Sequence, residues 1–388
     1  MKKELFDGKH QRKWEVAAAA ALLALLVIWG LALQTTEADH EATAARKRMF
    51  AVAKVVEVLE DNAAPDTWTE GRRIGEQLLK VQLCSGPYQG EVLTTYNYIN
   101  AYVNVDAPVG GRIIVRLDLD EQEQPYIISI PSHDRTPMLL GLIGVFAALL
   151  VLIGKKRGVM ALLGLGYTLA CIWYILVPTV LRGANPIVVT VLIVALTTIA
   201  SLLLITGFSR KTLCAALGCV GGTAVAGLFA AVAGRVSPIN GFNMSEAEEL
   251  VLRSTQADIQ ISGLLVSGIL IASLGAVMDV AMSIASACNE LRMLNPNLPA
   301  KDLFRSGMNI GRDAMGTMAN TLILAFAGAS LNTLLLLQIY DYPLIQFINT
   351  DAVVIEVIRG MAGSIGIILT VPLVAALSTR LFPQVKKK

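Results

Sequence analysis

The sequence predicts a polytopic α-helical membrane protein of about eight transmembrane helices, with one small extracytoplasmic β domain. Three observations predict it. The chain of 388 residues is 54% hydrophobic and only 16% charged, with a mean hydropathy of +0.60, the composition of a chain that lives in a bilayer. Its apolar residues gather into eight runs, and a spanning helix needs about 20 such residues to cross about 30 Å of hydrocarbon. Lysine and arginine, finally, are shared very unequally between the connections. The net charge of +2 is too balanced to suggest nucleic acid.

Taken in order, residues 1–15 form a basic N-terminus with Lys2, Lys3, Lys9, Arg12 and Lys13. The first apolar run, 16–33, is longer than the apolar core of a secretory signal, and no clean cleavage pattern follows it. It reads as an uncleaved signal anchor. After a polar stretch, apolar runs recur near 138–153, 159–177, 187–205, 213–233, 261–287, 314–338 and 357–378. They define a seven-helix membrane domain over 138–378, followed by a basic tail at 379–388. The first of the seven is short for a span. Lys155, Lys156, Arg157, Arg210, Lys211, Arg292, Lys301, Arg305, Arg312, Arg380 and the final lysines then fall on the N-terminal side of the membrane. Only Arg182, Arg235 and Arg253 fall in the short loops opposite. By the positive-inside rule both termini are cytoplasmic and residues 46–133 are extracytoplasmic.

Residues 46–133 read as β. The segments AVAKVVEVLE, LKVQLC, RIIVRLDL and YIISI alternate apolar and polar residues, the period of a half-buried strand. Ser85-Gly86-Pro87, the 104–111 stretch and 120–125 punctuate them as turns. Four to six short strands fit a small barrel or sandwich, an OB-like barrel among them. Tyr88, Tyr96, Tyr98 and Tyr102 cluster around what reads as a loop, with packing as their ordinary role.

The polar residues of the membrane domain carry the functional signal. Asp279 lies inside the 261–287 run, about 12 Å from its inner end at 1.5 Å per residue. A carboxylate there costs at least about 2.5 kcal/mol, so it normally faces a bundle interior or a wet cavity. Asp279, Ser283, Ser286 and Glu290 follow at helical spacing on one face. Asn309, Asp313, Thr317 and Asn320 make a second stripe, with Arg312 beside it. The two stripes, joined by a loop of about twenty residues (288–312), are placed to face each other and line an ion or solute path. Glu356 and Arg359, spaced i,i+3, either pair with each other or send the arginine into that path. The plainer reading is that the Ser, Thr and Asn residues glue helices together; an ionisable Asp279 is too costly for that.

Enzyme chemistry finds no foothold. His10, His40 and His133 all fall outside the runs, which leaves no intramembrane Ser–His dyad, HExxH zinc site or other metal centre. There is no nucleotide-binding loop and no cofactor motif. Ala362-Gly363-Ser364-Ile365-Gly366 half-resembles a nucleophile elbow, but lacks its first glycine and a histidine base. Like Gly218, Gly222, Ala226, Ala230 and Gly234, its small residues fit close helix packing. Only Cys84 lies away from the runs, while Cys171, Cys214, Cys219 and Cys288 lie in them or at their ends, so no disulfide framework is expected. Ser245 and Glu248 have the spacing of a capping box for a short outside helix.

The segments TGFSRKTL, LGAVMDVAMSIASACNEL, NIGRDAMGTMANTLILAFAG and IRGMAGSIGIILTVPL resemble the bacterial YibE/F family, through residues 138–378. The anchor and β domain resemble the YibE-like arrangement. That resemblance implies a cytoplasmic-membrane protein and supplies no substrate. One helix, an external domain and a bundle with a mid-membrane Asp are also distantly similar to SecD/SecF-type proteins and proton-driven efflux permeases, although Met278-Asp279 holds one carboxylate where the pumps hold a pair. The expected function is a membrane transporter or permease component, not an enzyme, with proton coupling as one form. The alternative is a non-transporting scaffold or export-assisting subunit acting through the β domain. The expected partners are the lipid bilayer and a second copy or a second membrane subunit of the same family.

Overall fold

The computed structural model describes residues 48–120, 122–239, 241–244, 247–253 and 260–382. The anchor at 16–33, Ser245 of the capping box and most of the basic tail lie outside the described residues. The chain divides at Leu150 into a β unit before it and a helical unit after it.

In the β unit, alternation produces the strands and Gly or Pro ends them. They are β1 (Arg48–Asp61), β2 (Ala64–Pro65), β3 (Arg73–Leu83), β4 (Val92–Ile99), β5 (Arg112–Leu119) and β6 (Pro125–His133). All pair antiparallel, in the order β2-β3-β1-β5-β6, with β4 also on β3. The Thr95 hydroxyl of β4 donates to the Ile128 carbonyl of β6 at 3.1 Å, which draws the two ends of the sheet together into a half-barrel. Ala51, Ala53 and Val55, Leu79, Val81 and Leu83, and Ile113, Val115 and Leu117 fill its interior. Register shifts after Val55 and after Val58 bend the long β1 around this core. Gly75, at φ +141°, has no alternative: a Cβ there would lie 2.7 Å from Ala63 Cα.

Tyr96 and Tyr98 are not loop residues. They stand on β4, stacked with ring centroids 6.1 Å apart and facing outward. Val-Leu-Thr-Thr-Tyr-Asn-Tyr-Ile alternates in burial like the other strands, with Thr95, Asn97 and Ile99 inward and the two tyrosines outward. Tyr102 does lie in a connection, fully exposed, and the Tyr88 hydroxyl donates to the Glu123 carbonyl.

The helical unit continues from a long helix, α1 (Thr136–Cys171), that is non-helical at Lys155 (φ 47°, ψ −127°). In a straight helix Leu150 and Gly158 would stand about 12 Å apart. Instead a Cβ on Gly158 would lie 2.0 Å from the Leu150 carbonyl oxygen. The chain is therefore sharply bent at Lys155, between Leu150 and Gly158. A π-helical turn (Ile172–Leu176) leads into α2 (Val177–Leu181). Then come α3 (Pro186–Thr206), capped by the Asn185 side chain, and α4 (Arg210–Val236), capped by Ser209. A short α5 (Ala247–Arg253) precedes α6 (Leu264–Leu294), α7 (Ala300–Ala329), α8 (Leu331–Ile339), α9 (Leu344–Ile348) and α10 (Asp351–Leu381).

Among the described residues, five segments are long and apolar enough to cross a membrane: Thr136–Leu181, α3, α4, α6 and α10. The pair α7–α8, bent by 56°, is a sixth if it is one span. The predicted apolar run at 314–338 is thus shared between two helices, bent at Ser330.

The predicted twenty-residue loop at 288–312 is not a loop. Its charged residues are good helix formers, so polarity ends the membrane run without ending the helix. What ends it is Asn295-Pro296-Asn297-Leu298-Pro299, because proline cannot continue α6 and suits the start of α7. Arg292 closes this tight turn, with Nη1 donating to the Leu298 carbonyl at 2.6 Å.

The small residues set how closely the helices approach. A Cβ on Gly222 of α4 would lie 1.8 Å from Thr370 Oγ1 of α10, and one on Gly218 2.1 Å from Val374 Cγ2. From the other side, Gly366 faces Ala226 and the Gly222 carbonyl, and Gly363 faces Leu322 and Ser273. Both small-residue patterns seen in the sequence therefore lie in helix contacts. Hydroxyls inside the bundle bond mainly to their own helices: Thr197 to Ile193, Thr198 to Val194, Thr223 to Cys219 and Thr370 to Gly366. These four are satisfied within their own helices, whereas the buried hydroxyls of Tyr167 and Thr190 find no partner among the described residues.

Candidate functional site

Helix α6 buries one face and exposes the other. Val277, Val280, Ala281, Ile284, Ala285 and Cys288 are in the core, while Asp279, Ser283 and Glu290 are exposed and Ser286 is half-buried. In α7, Leu303, Gly307 and Gly311 are buried, while Asn309, Arg312, Asp313, Thr317 and Asn320 are exposed. Each polar stripe is therefore real as a helix face. They do not meet within the chain.

The reason is the chemistry of the α6–α7 contact. A Cβ on Gly307 would meet Cys288 Sγ at 3.0 Å, and one on Gly311 would meet Ile284 Cδ1 at 3.0 Å and Val371 Cγ1 at 2.2 Å. The glycines let α7 settle against α6 and α10, and they take the contact face. At 100° per residue, Asp279, Ser283 and Glu290 stand about 140° round α6 from Ile284 and Cys288. Arg312 and Asn320 stand about 160° round α7 from Gly307 and Gly311. Both stripes point away from the seam between their helices.

Their charges are also unpaired. Among the described residues, no ion pair or hydrogen bond engages Asp279, Glu290 or the Asp313 carboxylate, and Arg312 reaches only Asn309 Oδ1, at 3.5 Å. Thr317 bonds back to the Asp313 and Ala314 carbonyls. Glu356 and Arg359 pair with each other at 2.6 Å, both partly buried. Of the two readings left open for this arginine, the structure takes the local pair.

A feature missed in the sequence lies beside that pair. The hinge at Ser330 borders a cavity of about 180 Å³, lined by Phe326, Ser330, Thr333, Glu356, Val357 and Gly360 among others. Glu356 Oε2 is buried next to it without a hydrogen-bond partner. Gly328-Ala329-Ser330, small and polar in mid-run, was the signal available for the break. A larger cavity of about 450 Å³ lies at the ends of α3, α4 and α6, bordered by Asn185, Arg235 and Gln260. Among the described residues, no three His, Cys, Asp or Glu side chains are grouped to hold a metal. Cys84 is exposed, and Cys171, Cys214, Cys219 and Cys288 are buried and free.

Long apolar helices packed through glycines, a separate β unit and an ionisable residue deep in an apolar helix define a polytopic membrane protein. The YibE/F-like protein family matches residues 142–384, so the chain belongs to that family. No curated protein and no solved structure matches it.

Proposed function

We propose that the protein is a transporter or permease component of the bacterial cytoplasmic membrane, with an ion or solute path along Asp279, Ser283, Ser286 and Glu290. One observation carries this reading: Asp279, at the depth of an apolar run, has no hydrogen-bond or ion-pair partner among the described residues. A structural carboxylate would be paired, because an unpaired one at this depth costs several kcal/mol. A group that must meet water, a proton or a passing solute is left free. The hinged pair α7–α8 beside Glu356 supports the same reading, since discontinuous helices build binding sites in many transporters. Proton uptake and release at Asp279 is the coupling this residue type allows, and the distant SecD/SecF-like order of parts fits it.

In this reading the spans number eight, with the anchor as the first, both termini are cytoplasmic and the β unit is extracytoplasmic. Its strand order, with β4 and β6 drawn together, supports an OB-like barrel. The test is water access. With Cys84 replaced by Ser, cysteines placed singly at 279, 283, 286 and 290 are expected to react with a membrane-impermeant thiol reagent. Protection of the first three, with only 290 labelled, would leave no path and favour the scaffold reading.

A further inference from the structure

The outward face of α6 is unusual along its whole length. Ahead of Asp279 it carries Gly268, Ala272 and Gly275, all exposed, and a Cβ on either glycine would meet nothing within 4 Å. Lipid tails gain little from bare backbone. Small residues in series let another helix approach closely. This face therefore has both the shape of a helix contact and, in Asp279 and Glu290, unpaired acids.

The outward face of α7 supplies the complement. It carries Arg305, Asn309, Arg312, Gly316 and Asn320, all exposed, with nothing within 4 Å of a Cβ on Gly316. The α6–α7 seam fixes the relative heights. Cys288 lies level with Gly307 and Ile284 with Gly311, so in two antiparallel helices Asp279 is level with Gly316 and Glu290 with Arg305. Arg312 sits one turn, about 6 Å, from the level of Asp279, a gap its long side chain spans. Acids on one face thus match bases on the other in depth, yet the faces point away from each other in one chain.

What covers them must offer polar groups. The remaining apolar run of this sequence, 16–33, contains no charged, amide or hydroxyl side chain. A second copy of this chain offers the match directly. Rotation about the membrane normal keeps every copy at the same depth, so heights measured within one subunit carry over to its neighbour.

We propose that the α6 face of one copy docks on the α7 face of the next, head to tail. A closed ring then completes the path between subunits, with Asp279 facing the neighbour's Arg312 and Glu290 its Arg305. This rests on the path reading for its function, but not for its assembly. The two stripes do face each other, across an interface rather than within a chain.

Cross-linking of the full chain tests it, in a Cys84→Ser background. Gly275 is level with Asn320 by the same register. Gly275→Cys and Asn320→Cys in one chain are expected to give a ladder of oxidised oligomers ending in one closed species. Two differently tagged chains carrying one substitution each should give heterodimers and no ladder. Gly275→Cys pairing with itself would overturn the head-to-tail arrangement in favour of a two-fold one. A single-subunit mass for the unaltered protein, extracted with its surrounding lipid, would overturn assembly altogether. As a second variant, Glu290→Arg should weaken the ladder at least threefold, and Arg305→Glu added to it should restore the ladder. A persistent ladder together with full activity of Asp279→Asn would sink the path and leave the ring standing.

Discussion

The β unit ties a group of charges into one network, whereas the helical unit, apart from the Glu356–Arg359 pair, turns several outward. In the β unit Arg73 lies between Asp61, at 2.6 Å, and Asp106, at 3.1 Å. The Gln77 amide donates to both carboxylates, and the Asn97 amide donates to Gln77 Oε1 and the Val105 carbonyl. The helical unit closes its interior with glycines and self-bonded hydroxyls, and turns Asp279, Glu290, Arg312 and Asp313 outward without ion pairs among the described residues. Charges enclosed in a satisfied network belong to the fold. On the proposed reading, charges left unpaired at membrane depth serve something the chain meets, because an unpaired charge there costs folding energy.

The strongest way to break this comparison is to remove one free charge and watch folding and activity separately. Asp279→Asn keeps the shape and cannot titrate. It is expected to insert and accumulate normally, since no partner among the described residues loses a bond. Where solute and proton are linked by about 1–3 kcal/mol, losing the link lowers accumulation by about 5- to 150-fold. Complementation of a deletion strain, with solutes profiled in both strains, measures it. Full activity would make Asp279 a packing residue. If the variant fails to accumulate, the residue belongs to the fold and the contrast between the units collapses.

The opposite outcome is expected where α4 meets α10. Gly222→Val would place atoms where Thr370 Oγ1 and the Gly366 carbonyl already lie. Overpacking costs about 1–3 kcal/mol or more in a rigid contact. The variant should lose thermal stability in detergent and accumulate poorly, whereas Gly166→Ala, at an open position, should do neither. Equal behaviour of the two would mean that α4 and α10 are not held by this contact.

Much of this was legible in the sequence, for reasons particular residues make plain. Alternation in AVAKVVEVLE and RIIVRLDL gave strands because one face of each had to be buried, and apolar runs located the helices. Where α6 ends was not legible, because Glu290 and Arg292 stop the membrane run while only Pro296 stops the helix. Nor was the direction of the stripes. Spacing shows that Asp279, Ser283 and Glu290 share a face, but which face meets α7 is decided by Gly307 and Gly311, three-dimensional facts about close approach. The cavity at Ser330 depends on a bend that small residues permit without dictating.

The β unit offers a milder test. Expressed as residues 40–135, it is expected to fold alone as a β protein, and a disordered circular-dichroism spectrum would refute that. In this fragment Arg73→Ala should cost about 1–2 kcal/mol, discounted for partial exposure. The hydrogen bond from Arg73 holds the Asp61 carboxyl below its ordinary value of 3.8. A carboxyl lowered by folding stabilises above its unfolded value, and that contribution is lost as pH falls through the folded value. Urea unfolding should therefore show the gap between wild type and Arg73→Ala narrowing below about pH 4. A gap unchanged down to pH 2 would show that the arginine acts by packing alone.

The smallest effect is expected at Ser286, and it sharpens the comparison by separating a polar stripe from its charges. Ser286 is half-buried between Asp279 and Glu290 on the same face of α6, and it makes no hydrogen bond among the described residues. A hydroxyl without a partner contributes little to folding, and substitutions away from specific interactions usually stay within about 0.5 kcal/mol. Ser286→Ala should accumulate, melt and complement as the wild type does, because water in the path can replace a hydroxyl where it cannot replace a carboxylate. If alanine at 286 abolishes activity while the protein still accumulates, the hydroxyls themselves hold the solute. The centre of the site would then move from Asp279 to the serines of α6.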